Sequence, residues 1–226
     1  MKWAADDLRR RSPRWPSSRF PSSCCMNHWL TMNAFEPLIW MAAVWCVVRA
    51  INFDQPRYWL WFGVFVGLGM ENKYTVAFLV IGVVAGLLLT RERRFLKSRW
   101  IWIGAMISVL IFLPNLIWLV RHNFPFLELM HNIRASGRDV VRSPLAFVAD
   151  QAMILNPVLF PLWAGGLLWL LFGNKGRYRL LGWTYLVMLV LLIVLASKNY
   201  YLAPIYPMLF AAGARGVRVT HARPSG

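Results

Sequence analysis

Between residues 34 and 216 the chain repeatedly runs for about the length of a bilayer crossing, ~20 residues, with almost no charge. In hydrocarbon every backbone polar group must find a partner within the protein, so such runs fold as helices that pack together. The apolar stretches fall at 34–51, 59–90, 100–120, 155–172, 180–196 and 202–213. The 59–90 stretch is too long for one span and is interrupted by Glu71, Asn72 and Lys73. Charges at mid-membrane are tolerated where they face protein or a wet cavity, so a break into two short helices is expected there. The fold class expected is all-α: a polytopic membrane bundle of about six helices with one short, broken pair at Glu71–Lys73.

Charge supports the same reading. The 226 residues carry 25 Lys and Arg against 9 Asp and Glu, a formal net charge of +16. An excess of that size raises the question of nucleic acid, because basic patches release counterions from phosphates. Here the cations are loop cations. Arg91, Arg93, Arg94, Lys97 and Arg99 separate two apolar runs, Lys175, Arg177 and Arg179 separate two others, and Arg215, Arg218 and Arg223 follow the last. That is the positive-inside pattern, so the partner expected is membrane lipid and no nucleic acid. It puts Asn33, Glu36, the polar stretch 121–150 and Ser197–Tyr201 together on the outer side.

Three domains are expected: a disordered basic tail over 1–28, a membrane helical domain over 29–216 and a short basic tail over 217–226. The first contains Arg9, Arg10, Arg11, Arg14 and Arg19 among prolines and serines, without the apolar middle of a secretory signal. Cys24 and Cys25 are adjacent and Cys46 lies in an apolar run, so no disulfide framework is suggested.

The polar residues that interrupt this background are the candidates for chemistry. Asn33 can cap the first helix, with Pro37 tolerated in its first turn. Glu36 is a carboxylate that can act as a base or bind a divalent cation, or simply rest at a helix start wetted by headgroup water. Glu71 and Lys73 form either a mutually compensated pair or a phosphate-holding lysine. Lys198, Tyr200 and Tyr201 suit a sugar or a phosphate, and equally suit interfacial anchoring. Gly63, Gly67 and Gly69 lie in an apolar helix, where small residues mean close packing. His122, His131 and Glu128 match no zinc spacing, so no metal is expected. Arg134, Arg138 and Arg142 fall about one turn apart and either line an anionic site or, as the leading reading, face headgroups.

Several local patterns then resemble one family. Asn33-Ala34-Phe35-Glu36-Pro37 heads a helix, and Gly67-Leu68-Gly69 leads to Lys73-Tyr74-Thr75. Pro114-Asn115-Leu116-Ile117-Trp118 precedes His122-Asn123-Phe124-Pro125, and Lys198-Asn199-Tyr200-Tyr201 precedes Pro204 and Pro207. In order and spacing these resemble the polytopic glycosyltransferases of family 39, the protein O-mannosyltransferase and aminoarabinose transferase superfamily with the GT-C fold. The resemblance implies transfer of a sugar from a polyprenyl-phosphate donor to an extracytoplasmic acceptor, with inversion, in the plasma (inner) membrane of a bacterium. It implies Lys73 and Lys198 as phosphate ligands, with Glu36, or Asn33 where relatives often carry an aspartate, lining the sugar site.

Family members begin with a membrane helix and an outer loop bearing an acidic residue, often an Asp-Glu pair. Asp6-Asp7 does not replace it, being set among arginines. The expectation is therefore a member truncated at its N-terminus, with no catalytic residue assigned beyond Glu36 and the activity of the isolated chain left open. A transporter or lipid-carrier flippase built on the Glu71–Lys73 break, or an inert membrane remnant, are the alternatives.

Overall fold

The computed structural model describes residues 32–125 and 143–221, with Glu128 and Asn132 between them. Residues 1–31 and 222–226 lie outside the described residues, as do His131, Arg134, Arg138 and Arg142. All regular structure among the described residues is helical. Helix α1 is Met32–Phe53, α2 Tyr58–Asn72, α3 Val76–Leu89 and α4 Arg99–Arg121. Then come α5 Pro144–Ile154, α6 Phe160–Phe172, α7 Arg179–Val194 and α8 Tyr206–His221. Short 3-10 segments join them at Arg91–Lys97, Pro157–Leu159, Asn174–Gly176 and Asn199–Ile205.

The broken pair occurs where the charges interrupt the apolar run. Helix α2 stops at Asn72, Lys73 is extended (φ −164°, ψ 132°), and α3 restarts at Val76. Elsewhere the boundaries move. The polar stretch 121–150 is not all loop, because Ser143 caps α5 by accepting from the Ala146 amide and Pro144 occupies the first turn. The expected single helix 155–172 is also bent. Asn156, at φ 80°, takes a left-handed conformation that asparagine tolerates, and the α5 and α6 axes diverge by 96° there. The last helix starts at Tyr206 and runs on to His221, through part of the expected basic tail, because Asn199–Ile205 forms a 3-10 segment. Pro37 lies beyond the first turn of α1, since that helix begins at Met32.

Two helices, over 33–53 and 99–121, are long and apolar enough to cross a membrane, or up to three if the bent pair α5–α6 is one span. The chain is an all-α membrane protein. Its core is a belt of Trp40, Val47, Trp59, Leu79, Tyr185 and Leu209 with their neighbours. Within a bilayer such burial gains little, because lipid tails are as apolar as leucine; close backbone approach and polar contacts hold helices together instead. Helices α2 and α4 meet at Gly63 and Gly104, where a Cβ on Gly63 would lie 2.0 Å from the Gly104 carbonyl oxygen. Helices α6 and α8 meet in the same way at Gly166 and Gly213. Helix α4 leans on α2 and otherwise turns Trp102, Met106, Val109 and Leu110 outward; only 11% of its most apolar window is buried.

Helix order defines two ends. Arg94 pairs with Asp54 at 3.0 Å, joining the end of α1 to the connector after α3. That end also carries Arg57, Arg99, Arg177 and Arg179 at helix starts. The other end gathers the head of α1, the α2–α3 break, the last turns of α4 and the Asn199–Ile205 segment.

Candidate functional site

Lys73 is the centre of that second end. Released from helical geometry, its side chain reaches back to the head of α1, where Nζ donates to Asn33 Oδ1 at 2.9 Å and to Glu36 Oε2 at 2.8 Å. The other carboxylate oxygen, Oε1, accepts from the Thr75 hydroxyl. Glu36 is 3% exposed. The readings of Glu36 as a solvated carboxylate and of Glu71 as the partner of Lys73 do not hold. Glu36 is not wetted at a helix start but buried against an ammonium and a hydroxyl, and Lys73 is compensated by Glu36 rather than by Glu71. Glu71 instead accepts from Asn115 Nδ2 at 3.1 Å, while Asn115 Oδ1 accepts from the Tyr74 hydroxyl at 3.2 Å, so α4 is tied to both sides of the break.

The Asn199–Ile205 segment roofs this cluster. The Lys73 ammonium lies 5.0 Å from the Tyr201 ring centroid and 5.4 Å from that of Tyr200, and the exposed Lys198 lies 6.0 Å from Tyr200. These are cation–π distances, and they leave the outer face of the ammonium against aromatic surface rather than oil. The structure thus brings together Asn33, Glu36, Lys73, Lys198, Tyr200 and Tyr201 from three separated parts of the chain. A cavity of about 240 Å³ opens beside them, walled by Asn33, Glu36 and Tyr200 and by the apolar Leu155, Pro204 and Phe210.

Sequence reasoning missed what holds the roof in place. Gln151 is 1% exposed; its Nε2 donates to the Asn199 carbonyl at 3.0 Å and the Phe147 carbonyl at 3.3 Å, and its Oε1 accepts from the Tyr206 hydroxyl at 3.0 Å. The Tyr206 proton being used there, Tyr185 donates to Tyr206 at 3.2 Å. Asn199 Nδ2 donates to Asp150 at 3.1 Å. The available signal was a lone Asp-Gln pair leading an apolar stretch. Gln151→Leu keeps the bulk and removes the three bonds that Gln151 makes, depriving the Asn199 carbonyl of that donor and the Tyr206 hydroxyl of that acceptor. We expect a loss of about 1–3 kcal/mol, read by thermal unfolding in detergent, with faster protease cleavage within 197–205. An unchanged melting curve together with unchanged cleavage would show that the roof is held by other contacts.

His122 serves no such cluster. It stacks on Trp118 at 4.4 Å and bonds that residue's carbonyl at 2.8 Å. Among the described residues no group of three His, Cys, Asp or Glu converges as a metal site. Glu36 has both oxygens committed, so the cation it holds is the Lys73 ammonium.

This geometry defines a class: a helical membrane protein with a buried ion pair under an aromatic roof at one end of the bundle. Residues 20–118 are similar to the sequence model of the family described as dolichyl-phosphate-mannose-protein mannosyltransferase. The matched segment contains Asn33, Glu36, Lys73 and Asn115 but not the roof. No curated protein and no solved structure matches the chain.

Proposed function

We propose that this protein is a membrane glycosyltransferase whose site takes a sugar linked to a polyprenyl phosphate and passes it to an extracytoplasmic acceptor. The observation that carries the reading is the convergence of Lys73, Asn33 and Glu36 beneath Tyr200 and Tyr201, next to a cavity whose far wall is apolar. An anionic lipid-linked sugar asks for those three surfaces together. The isoprenoid end packs on Leu155, Pro204 and Phe210, the sugar face stacks against tyrosine, and the phosphate meets ammonium groups.

In the transfer, the acceptor oxygen attacks the anomeric carbon, and its proton passes through solvent to the departing phosphate monoester. The bond from that carbon to the phosphate oxygen breaks, and the polyprenyl phosphate leaves with the electron pair. Negative charge on the leaving phosphate grows through the transition state, so a cation placed there lowers the barrier. Glu36 neutralises Lys73 and fixes its direction, which makes Glu36 a positioning residue. Lys198, exposed and beside the same ring, supplies the additional positive charge. With the basic connectors inside a bacterial plasma membrane, the site opens on the outer face.

The test uses the full chain in proteoliposomes with a radiolabelled polyprenyl-phosphate hexose. Binding should exceed that of the uncharged polyprenol, and Lys198→Ala should weaken it roughly tenfold, the worth of one charge-assisted bond. Label should also appear in an acceptor. If the phosphorylated donor binds no better than polyprenol, the proposal is wrong; binding followed by movement across the bilayer without transfer would favour a carrier flippase instead.

A further inference from the structure

The opposite end of the bundle holds a larger concavity, about 840 Å³, that the proposed reaction does not use. It opens where the end of α3, the end of α6 and the start of α7 meet. Five cationic side chains, Arg91, Arg93, Lys175, Arg177 and Arg179, line it against one carboxylate, Glu92. Glu92 is already committed to Arg94 at 3.3 Å. Arg177 is anchored to the Ile51 and Asn52 carbonyls at 3.3 and 2.9 Å, and Arg179 Nε to the Leu171 carbonyl at 2.8 Å. Arg91, Arg93 and Lys175 are exposed, with no carboxylate partner among the described residues.

The floor of the same groove is apolar: Leu88, Leu89, Phe172 and Trp183. Leu88 is 60% exposed and Phe172 70%. The apolar surface continues away from the cations. Ile81, Val84 and Leu88 share one outward face of α3, being spaced by three and four residues, and Val190 and Val194 are exposed along α7. The two helices are seated against each other by Gly82 and Gly86, each facing a backbone carbonyl of α7, so this stripe is one surface.

A row of donors above a lipid-facing apolar track has the chemistry of an anionic phospholipid turned inside out. A free phosphate would use the cations and leave the track uncovered, and a zwitterionic lipid would bring an ammonium to a surface that is already positive. Basic pockets between membrane helices on the inner side take such headgroups. We propose that this groove binds one anionic phospholipid of the leaflet that the basic connectors face. Its phosphate is held by Arg91, Arg93 and Lys175, and its chains lie along α3 and α7. The site is independent of the glycosyltransferase reading, since it shares no residue with the Lys73 cluster.

The full chain is reconstituted in phosphatidylcholine nanodiscs, and the motionally restricted fraction of spin-labelled phosphatidylglycerol is compared with that of spin-labelled phosphatidylcholine. The anionic label should associate roughly a hundredfold more strongly, at about fivefold for each of the three engaged cations. The R91Q/R93Q/K175Q variant should lose the preference. R57Q/R99Q, which removes cations from the same end but not from the groove, should keep it. Millimolar glycerol 1-phosphate should not displace the label. All three groove cations are exposed, so the triple variant should retain its helical signal; Arg93→Gln alone gives the same test with a roughly fivefold fall. The proposal is overturned by no preference for the anionic label, by equal losses in the two multiple variants, or by displacement with the soluble phosphate.

Discussion

Replacing Glu36 by alanine is expected to lower the melting temperature of the detergent-solubilised chain by roughly 10 °C, the thermal counterpart of about 3–5 kcal/mol. The reason is asymmetry. The Lys73–Glu36 pair contributes little net stability as a pair, because both charges were taken out of water to make it. Removing one partner leaves the other buried: the Lys73 side chain is 13% exposed, with Asn33 and two ring faces in place of a counter-charge. Thr75 loses its acceptor as well. The same argument predicts that Glu36→Leu combined with Lys73→Leu recovers most of the loss, since apolar residues of similar size can replace a buried ion pair at little cost. A double variant as unstable as Glu36→Ala would mean that the penalty comes from the cavity or from Thr75, not from an uncompensated charge.

The second large effect lies in the helix seam. Gly63→Leu should destabilise by about 3 kcal/mol or more, at the upper end of overpacking costs, because what the new side chain meets is backbone. A Cβ there would lie 2.0 Å from the Gly104 carbonyl oxygen and 2.7 Å from its Cα, and no rotamer change relieves that. Helix α4 must then tilt or move away from α2. Since α4 carries Asn115, the bonds from Asn115 to Tyr74 and Glu71 should loosen too. Gly165→Leu is the matched control, with nothing within 4 Å of its Cβ position. Melting temperatures of the two variants that fall together would show that the α2–α4 seam is not a fixed contact.

The break at Glu71–Lys73 could be read from the chain because charge in hydrocarbon is costly whatever the tertiary context. The gathering of Asn33, Glu36, Lys73 and the Lys198–Tyr201 stretch at one end followed from counting helices and alternating their directions. Partner choice did not follow. Whether Lys73 turns to Glu71, two residues away, or to Glu36, 37 residues away, depends on the extended backbone at Lys73, and periodicity carries no information about it. Helix boundaries after residue 140 were missed for a related reason. Asn156 in a left-handed conformation bends an unbroken apolar run, and apolar content alone cannot distinguish a bent pair from a straight span. Gln151 escaped notice because one amide at the edge of a polar stretch looks like any surface residue until its neighbours across the fold are known.

An anionic donor arriving beside Lys73 would meet a lysine already bound to α1 through Glu36. The carboxylate grips the lysine with one oxygen and Thr75, at the foot of α3, with the other, so Glu36, with Asn33 beside it on the lysine, fastens α1 to the α2–α3 corner. An anion that drew the ammonium toward itself would slacken the lysine's hold on α1 and leave the Thr75 bond as the remaining tie. The hold between the first and second helices would then rest on fewer polar contacts, while Thr75 kept the third in place.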